Sequence, residues 1–573
     1  MLIALGLATI YFVMLAATLD MGFPRDESFY FLAGEQYSHW FDELVHSPSK
    51  AFTKKSVEQH FAFNPEHVAL PKIMFGLSWR LFGKIDSQRH PAWYNGPIPK
   101  PIFGLFREST AMRLPVLLLN AFLIFMIFMF GATYISRRAA LGASLVMMAI
   151  PRFFWNAHLA CFDVPVTVMW FATAYAFFKA ERGSWKWAVI TGIAWGLALS
   201  TKLNAYFIPG VLGLYWLTEK ASDFHLKIGK GSGLSLPRIP LAFLFMLILS
   251  PIIYYILWPK LWFDPIKHLK WYFGRHMHHE YYWAYYFGHL YTKPPFPVAF
   301  PFVMSAMTIP MPSLVLFIAG FVIAAKNGFI HWFYGLTRRF QPLIDSFRPP
   351  KPYEPGLYAF LFWNMFIPFA IIAVPTVPIF GGTKHWFPGL PFLALFAGIG
   401  FDRTLSAFDH VLPGRRILPA LVALTLFASP FVDTIRHHAD NSAYYNNIVG
   451  GYQAMGNLKM EREFWGNSAY GVLPYLNKNA KAGASVDFHD TTWNAVQMYY
   501  RDHLLRPDIR AQWNYKIADF HLFHIHNEFL DLEAKVRHNF GDFPPATGVY
   551  VDGVALLHLY QRKTATKKRV AKK

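Results

Sequence analysis

Long apolar runs constrain the fold of this chain more than any other feature of its sequence. Residues 2–19, 112–134 and 239–258 each approach the ~20 apolar residues that a helix needs to cross a bilayer. Hydrophobic residues form 54% of the chain and charged residues only 15%, a balance that a soluble protein of 573 residues could hardly keep in solution. The sequence therefore predicts a protein embedded in a membrane.

Windows of ~20 residues predict about eleven membrane spans. They cover 2–19, 112–134, 139–155, 163–178, 186–200, 203–218, 239–258, 300–325, 357–376, 385–402 and 417–433. Leaving out the long first loop, the loops after the even-numbered spans carry seventeen lysines and arginines against seven in the alternate loops, which by the positive-inside rule places the former and the N-terminus in the cytoplasm. We therefore expect a bacterial inner-membrane domain at 1–433, with the first loop (20–111), the 259–298 loop and the C-terminal region outside.

The regions between and after these spans predict smaller elements. Aromatic residues and prolines fill the 20–111 loop, which favours interfacial helices at the headgroup level. Mixed polarity and short β-like runs at 434–562, with a hairpin through Asp552-Gly553, indicate a small periplasmic α/β domain. The basic, repetitive residues 563–573 are typical of a disordered tail. The expected fold class is an all-α polytopic membrane bundle with a small C-terminal α/β domain.

The net charge of +20 and the single cysteine narrow the function classes. Basic residues punctuate hydrophobic runs and form no continuous stripe, which indicates membrane topology and no nucleic-acid partner. Cys161 alone excludes an intrachain disulfide and a zinc site of several thiolates. The glycines near Gly229-Lys230-Gly231 lack the length and flanking strand of a phosphate-binding loop, so ATP-driven transport has no support.

Two adjacent acids follow the first predicted span, in Arg25-Asp26-Glu27-Ser28-Phe29-Tyr30. A carboxylate there could take the proton of a hydroxyl that attacks a sugar's anomeric carbon. The alternative is that the acids cap an interfacial helix from Ser28 onward, because acids are favoured in the first turn.

A second polar motif, Asn64-Pro65-Glu66-His67-Val68-Ala69-Leu70-Pro71-Lys72, precedes a helical stretch. In the functional interpretation, Lys72 neutralises charge on a phosphate leaving group. In the alternative, prolines mark a helix start and the lysine reaches from the interface to water.

Further ionisable residues lie at span ends on the same predicted side of the membrane: Asp163, Lys202, Lys384 and His385. Charges so close to hydrocarbon are costly and indicate function, although side chains that reach to water would also explain each one. In the aromatic loop 268–289, His276 or His279 with Glu280 could bind a metal ion, but their spacing matches no defined zinc pattern. We favour contact with sugars and lipid headgroups there.

Together these motifs resemble glycosyltransferase family 39 of the GT-C superfamily, which contains protein O-mannosyltransferases and lipid A aminoarabinose transferases. The 25–30 motif is similar to the family's acid-rich motif after its first span. Residues 67–72 match the histidine, leucine and lysine of His-Pro-Pro-Leu-x-Lys, but Val68 and Ala69 replace the central prolines. The resemblance covers about residues 1–430, with similar segments at 159–165, 196–202 and 384–391 and a weaker echo at 444–466.

The resemblance implies a GT-C fold and an inverting transfer of a sugar from a polyprenyl-phosphate donor. Asp26 would be the general base, with Glu27 as the alternative. Asp163 would orient an acceptor or a basic neighbour, and Glu66 or His67 would take part in donor or metal binding. Basic side chains would hold the donor phosphate, namely Lys72, Lys202, Lys384, His385 and Arg275.

The same scheme sets the expected cofactors and partners. No cofactor is required, because fixed amines can stabilise a leaving phosphate without a metal ion, although a divalent metal stays an alternative. The partners would be membrane lipids, the lipid-linked sugar, and an acceptor that is a protein hydroxyl, lipid A or a glycan.

Two other classes compete with this prediction. A transporter or flippase of a lipid-linked sugar would place ionisable residues near the bilayer midplane and show inverted repeats. The charges here cluster at one predicted surface instead. An O-antigen-ligase-like glycan transferase would favour an arginine-rich outer loop for a diphosphate, whereas Arg275 is the one arginine in the 259–298 loop.

Overall fold

The structure is a computed structural model that describes most of the chain. The described residues are 1–90, 98–220, 225–227, 233–235, 237–278, 280–336, 354, 356–412, 414, 417–463, 465–526 and 529–562. The predicted tail at 563–573 and the candidate metal ligand His279 lie outside them.

Helices follow the apolar runs of the first three quarters of the chain. They are α1 (Leu2–Ala17), α2 (Arg25–His46), α3 (Pro48–Ala51), α4 (Lys54–His60), α5 (Leu70–Phe82), α6 (Glu108–Tyr134), α7 (Arg137–Met148), α8 (Pro151–Asn156), α9 (Asp163–Ala180), α10 (Trp185–Leu199), α11 (Ile208–Glu219), α12 (Leu241–Leu257), α13 (Pro265–Met277), α14 (Phe300–Thr308), α15 (Met311–Leu336), α16 (Leu357–Ala373), α17 (Leu390–Val411) and α18 (Leu418–Arg436). The predicted helices of the first loop are present as α2 to α5.

Several of these helices have the length and composition of membrane spans. Four described helices are long and apolar enough to cross a bilayer: Glu108–Tyr134, Met311–Gly328, Lys384–Val411 and Pro419–Arg436. Four more apolar helices are shorter, at Leu2–Ala17, Trp185–Leu199, Leu241–Leu257 and Leu357–Ala373. The predicted polytopic helical bundle is therefore confirmed.

Prolines divide two of the predicted spans. The 139–155 segment ends as α7 and restarts as α8 at Pro151, and the 300–325 segment breaks between α14 and α15 at Pro310. Proline removes a backbone donor and disfavours helix in the residue before it, so it starts a helix more readily than it continues one. Apolar periodicity alone does not show these breaks.

Small residues allow close helix packing inside the bundle. Helix α15 packs on α17 through Gly320 and Gly400. A Cβ at Gly320 would lie 1.8 Å from the carbonyl oxygen of Phe396, and one at Gly400 would lie 2.1 Å from that of Leu316. Larger side chains would therefore force these two helices apart.

The C-terminal region is the predicted small α/β domain. Its helices and strands are α19 (Ala454–Asn457), α20 (Leu473–Asn479), α21 (Trp493–Arg501), α22 (Leu530–Asn539), β5 (Ser485–Phe488), β6 (Arg510–Gln512), β7 (Phe520–His524), β8 (Thr547–Val551) and β9 (Val554–Gln561). Two short hairpins precede it, β1 (His225–Lys227) with β2 (Gly233–Ser235) and β3 (Ala284–Tyr286) with β4 (His289–Tyr291). The sheet order is β6-β5-β7-β9-β8, with β5 parallel to β6 and β7 and the other pairs antiparallel.

The predicted hairpin between β8 and β9 is confirmed. Asp552 and Gly553 have φ values of 46° and 80°, as a two-residue turn of the mirror-image type requires. The predicted strands near 484–488 and 520–525 are present as β5 and β7, whereas β6 is three residues long and has no sequence signal.

Buried ion pairs fix the C-terminal domain to the first loop and the bundle. Arg501, at the end of α21, donates to Glu35 of α2 at 2.6 Å and also pairs with Glu108 at the start of α6. Asp502 accepts a hydrogen bond from the backbone N–H of Glu108 at 2.9 Å and another from Ser109. Breaking one partner of such a pair would leave an uncompensated buried charge. This junction holds the middle of α2 and the start of α6 against the C-terminal domain.

Candidate active site

An ion pair joins the start of α2 to the turn before α17. Lys384 Nζ donates to Asp26 Oδ2 at 2.6 Å. The Lys384 side chain is 5% exposed, but that of Asp26 is 33% exposed, so the carboxylate stays accessible on one side. Both acids of the first turn, Asp26 and Glu27, contact cations on other elements. Both acids also lie in the first turn of α2, as the capping alternative expects, so their positions agree with either interpretation.

Two glycines and a tryptophan position Lys384. Gly381 and Gly382 have φ values of 75° and 65°, a region that side-chain-bearing residues rarely adopt. A Cβ at Gly381 would lie 2.9 Å from both Lys384 Cε and Trp465 Cζ2. Lys384 Nζ lies 3.9 Å from the centre of a Trp465 ring, a cation–π contact. We did not predict Trp465 as a site residue; the only sequence signal was the weak family echo that includes it.

A second ion pair lies close to the first. Lys202 Nζ donates to Asp163 Oδ1 at 2.6 Å, and Asp163 is the first residue of α9. Asp163 also interacts electrostatically with Lys384 and His385. His385 has Nε2 at 2.9 Å from the carbonyl oxygen of Phe380. The structure thus brings together five of the predicted site residues: Asp26, Asp163, Lys202, Lys384 and His385.

Glu27 has surroundings unlike those of its neighbour Asp26. Its carboxylate is fully buried and accepts hydrogen bonds from Arg113 Nε at 2.8 Å, from Arg113 Nη2 at 2.6 Å and from the backbone N–H of Ala160 at 2.8 Å. These three bonds hold both oxygens. We did not predict Arg113, which lies inside an apolar run.

Lys72 is buried and makes local contacts. Its Nζ donates to Tyr37 Oη at 2.8 Å and to the carbonyl oxygens of Asn64 and His67 at 2.7 and 2.9 Å. Burial lowers the pKa of the Lys72 amine well below its ordinary value, against the effect of Glu66. Glu66 accepts from Asn64 Nδ2 at 2.7 Å. These contacts hold the 64–67 turn to α2.

His67, in this turn, is affected by the lysines of both ion pairs. Burial, followed by the charges of Lys72, Lys202 and Lys384, lowers its pKa well below the ordinary value. Its ring packs edge-on against Tyr30 at 5.6 Å and Phe162 at 5.3 Å. A neutral His67 therefore lies within the field of all three predicted amines.

The described residues among those predicted in the 259–298 loop form no cluster of metal ligands. Arg275 is exposed on α13, and His276 Nδ1 lies 2.9 Å from the carbonyl oxygen of Tyr272 in the same helix. Glu280 is exposed. Among the described residues, no group of three or more histidines, cysteines or acids is placed to hold a metal ion.

A cavity of about 680 Å³ lies between the first turns of α2 and the C-terminal domain. Arg25 and Phe29 of α2 line it together with Tyr282 of the 259–298 loop. The C-terminal domain provides Asp487, Phe488, His489, Asp490, Thr491, Thr492, Trp513, Tyr515, His521 and Leu532. The sequence did not indicate any of these C-terminal residues, because segments far apart in the chain form the cavity.

One ion pair and one hydrogen bond join the C-terminal wall of this cavity to α2. Arg25 pairs with Asp490, and Ser28 Oγ lies 2.6 Å from Thr492 Oγ1. Burial acts to raise the pKa of Asp490, but a hydrogen bond from His526 and the nearby positive charges hold it below its usual range. Burial lowers the pKa of His489 to about 3, so its ring is neutral.

Comparisons with known proteins agree with the resemblance seen in the sequence. The family model described as dolichyl-phosphate-mannose-protein mannosyltransferase matches residues 53–266, just over a third of the chain. The comparison with curated proteins finds no match.

Solved structures give distant likenesses. ArnT from Cupriavidus metallidurans in the apo state is 13% identical, with a TM-score of 0.48, and the alignment covers 96% of this chain and 97% of that one. The oligosaccharyltransferase of Archaeoglobus fulgidus in the apo form is 11% identical, with a TM-score of 0.46, and the alignment covers 88% of this chain and 64% of that one.

Proposed function

Starting from the family match, which supports a membrane glycosyltransferase with a lipid-linked donor, we propose that this chain transfers a sugar from a polyprenyl phosphate to an acceptor hydroxyl. Asp26 is the general base in this proposal. The observation that carries it is the ion pair between Asp26 and Lys384, in which the base is partly open and the amine is almost fully buried.

The chemistry follows from what each side chain can do. The acceptor oxygen attacks the anomeric carbon, the bond from that carbon to the phosphate oxygen breaks, and the lipid phosphate leaves with the electron pair. Asp26 takes the acceptor's proton. Attack from the side opposite the leaving group inverts the anomeric centre.

Lys384 and Lys202 are the proposed phosphate ligands. Negative charge grows on the phosphate as it leaves, and fixed amines in a site that excludes water stabilise that charge strongly. Each amine already holds a carboxylate at 2.6 Å. When the donor binds, Lys384 shifts its contact towards the phosphate, and this frees Asp26 for the acceptor.

The remaining predicted residues support these groups. Asp163 orients Lys202 through their ion pair. Lys72 donates hydrogen bonds to Tyr37 and to two carbonyl oxygens. These contacts favour a role in positioning the 64–67 turn over direct binding of the phosphate. We keep His385 and Arg275 as secondary phosphate candidates. The distribution of basic loops supports a site on the non-cytoplasmic side.

Mass spectrometry of lipids and glycans tests this function. A deletion strain is compared with its parent, since the missing mass names the sugar and the molecule that lacks it names the acceptor. Wild type and an Asp409→Asn control restore the product, because Asp409 pairs with Arg138 on an exposed surface. Asp26→Asn fails to restore it at equal expression. Restoration by Asp26→Asn, or an unmodified lipid-linked sugar retained on one leaflet, would reject the proposal.

A further inference from the structure

The cavity between α2 and the C-terminal domain lies on the turn of α2 that carries Asp26. Arg25 and Phe29, which line the cavity, flank Asp26 on α2, and Phe29 lies one helical turn beyond it. On the opposite wall, the Tyr282 ring packs at 4.9 Å on Phe380, four residues before Lys384. The cavity therefore borders the turn of α2 that carries Asp26. The volume falls within the range of about 300–1,000 Å³ that is usual for small-molecule sites.

Flat aromatic surfaces form much of its wall. Phe29, Tyr282 and Trp513 are all exposed large hydrophobic residues. Trp493 packs against Trp513, with ring centres 5.1 Å apart. Rings that face a cavity offer broad apolar surfaces to a ligand with a matching flat face. The C–H face of a pyranose ring has this shape.

The polar groups of the cavity are arranged to accept hydrogen bonds. His521, which is 1% exposed, has Nδ1 at 2.7 Å from Asp487 Oδ2, so Nδ1 carries the proton. Its Nε2 is then an acceptor, and in the described part of the chain this buried atom has no hydrogen-bond partner. Buried polar atoms are rarely left unpaired, so a ligand that donates a hydroxyl proton would satisfy it.

The charges of the cavity discriminate between ligand classes. Arg25 is its one arginine, and this side chain is already paired with Asp490. Asp487 adds a further negative charge. A phosphate-bearing acceptor would meet carboxylates without a spare cation, which disfavours it. A neutral, hydroxyl-rich molecule meets no such cost.

We propose that this cavity is a carbohydrate-binding site for the acceptor, with a sugar ring stacked on Trp513 and hydroxyls donated to His521 and Asp487. That the bound sugar is the acceptor rests on the proposed glycosyltransferase function. The sugar binding itself does not.

Binding to the full-length protein in detergent tests the site without any donor. Saturation-transfer NMR would be recorded with three kinds of probe: neutral disaccharides (maltose, cellobiose, lactose and diacetylchitobiose), a peptide rich in serine and threonine, and glucosamine 1-phosphate. The expected result is saturable binding of a neutral disaccharide, with the strongest transfer to ring C–H protons. Trp513→Ala and His521→Phe each weaken this binding about tenfold.

Matched variants make the outcome decisive. Tyr550→Ala, an exposed aromatic of the same domain outside the cavity, leaves binding unchanged. Tyr282→Ala serves as a second cavity variant if Trp513→Ala does not fold. Binding of the peptide or the phosphorylated sugar in place of the neutral disaccharides would overturn the proposal. So would unchanged affinity in the cavity variants, or no binding of any disaccharide.

The two proposals can fail separately. Asp26→Asn is expected to retain the disaccharide signal while it loses transfer. If wild type bound sugars but transferred none from a lipid donor, the glycosyltransferase proposal would fail and the binding site would stand. If wild type transferred sugar but the cavity variants kept their apparent KM for the acceptor, the binding site would fail alone.

Discussion

Two adjacent acids, Asp26 and Glu27, have opposite surroundings in this protein. Each forms an ion pair of 2.6 Å with a buried cation, Lys384 for Asp26 and Arg113 for Glu27. Glu27 is fully enclosed and its oxygens accept three hydrogen bonds, whereas Asp26 keeps a third of its side chain exposed.

This difference favours a structural role for Glu27 and leaves Asp26 for the proposed reaction. An enclosed, bidentate pair is rigid and costly to break, but it has no room for a substrate. The half-open pair can exchange partners, because one side of the Asp26 carboxylate stays accessible. Distance alone would not separate the two acids; exposure and the number of hydrogen bonds do.

The largest expected effect concerns the open pair. Asp26→Asn should lower the rate of transfer by about 10²–10⁴-fold, because the proposed general base is lost. The melting temperature should fall less than in Glu27→Gln, because the buried Lys384 amine keeps a second carboxylate, that of Asp163, in its surroundings. Turnover of a purified lipid donor and a thermal melt measure both. A variant with near-normal turnover, or one that unfolds, would contradict the difference drawn between Asp26 and Glu27.

The closed pair should respond in the opposite way. Glu27→Gln should destabilise the protein by about 3–5 kcal/mol, because it leaves the Arg113 charge buried and unpaired. Thermal melts and the yield of monodisperse protein in detergent measure this loss. The double variant Glu27→Gln with Arg113→Met should recover part of the stability. Normal stability of the single variant would contradict the structural role assigned to Glu27.

The glycine turn that positions Lys384 should give an intermediate effect. Gly381→Ala should lower the rate about 10- to 100-fold, because a Cβ would meet Lys384 and Trp465 and the backbone conformation would be strained. Gly183→Ala is the matched control, since Gly183 also has a positive φ but an added Cβ there meets nothing within 4 Å. Equal rates in the two variants would argue against the positioning role of the turn.

A third carboxyl, Glu463, should give the smallest effect, visible only as pH dependence. It accepts a hydrogen bond from the backbone N–H of Ser468, and burial raises its pKa to about 8. Because the folded state holds this proton more tightly, the stability from Glu463 is full below its ordinary pKa and is lost as the pH rises towards 8. The melting temperature should therefore fall by several degrees between pH 5 and pH 8.5.

Glu463→Gln should flatten this pH profile, since the amide oxygen can still accept from Ser468. Glu58→Gln is the control, because Glu58 is exposed. If wild type and Glu463→Gln lost stability in parallel over this range, another group would be responsible.

The sequence predicted the charged residues that lie at the ends of apolar runs. Asp163, Lys202 and Lys384 were singled out because charges at the ends of apolar runs are costly, and the structure brings them into one cluster with Asp26. The helical bundle and the strands β5, β7, β8 and β9 followed from periodicity and turn residues.

Other site residues could not be predicted because their role depends on contacts between remote segments. Arg113 lies 86 positions from its partner Glu27 and is hidden inside a long apolar run. Trp465 contacts Lys384 from a segment without strong periodicity. His521 and Asp487 become cavity residues only when the C-terminal domain packs on α2. For Lys72 the sequence motif indicates phosphate binding, whereas in the structure its amine donates hydrogen bonds to other groups of the protein.

A structure of the protein with polyprenyl phosphate bound tests the central claim most directly. We predict a phosphate oxygen at about 2.7–3.0 Å from Lys384 Nζ, with the Asp26 carboxylate released from that amine and open to the cavity. The pair between Glu27 and Arg113 should be unchanged. A phosphate bound away from Lys384 and Lys202, or one that displaces Glu27 from Arg113, would contradict the account.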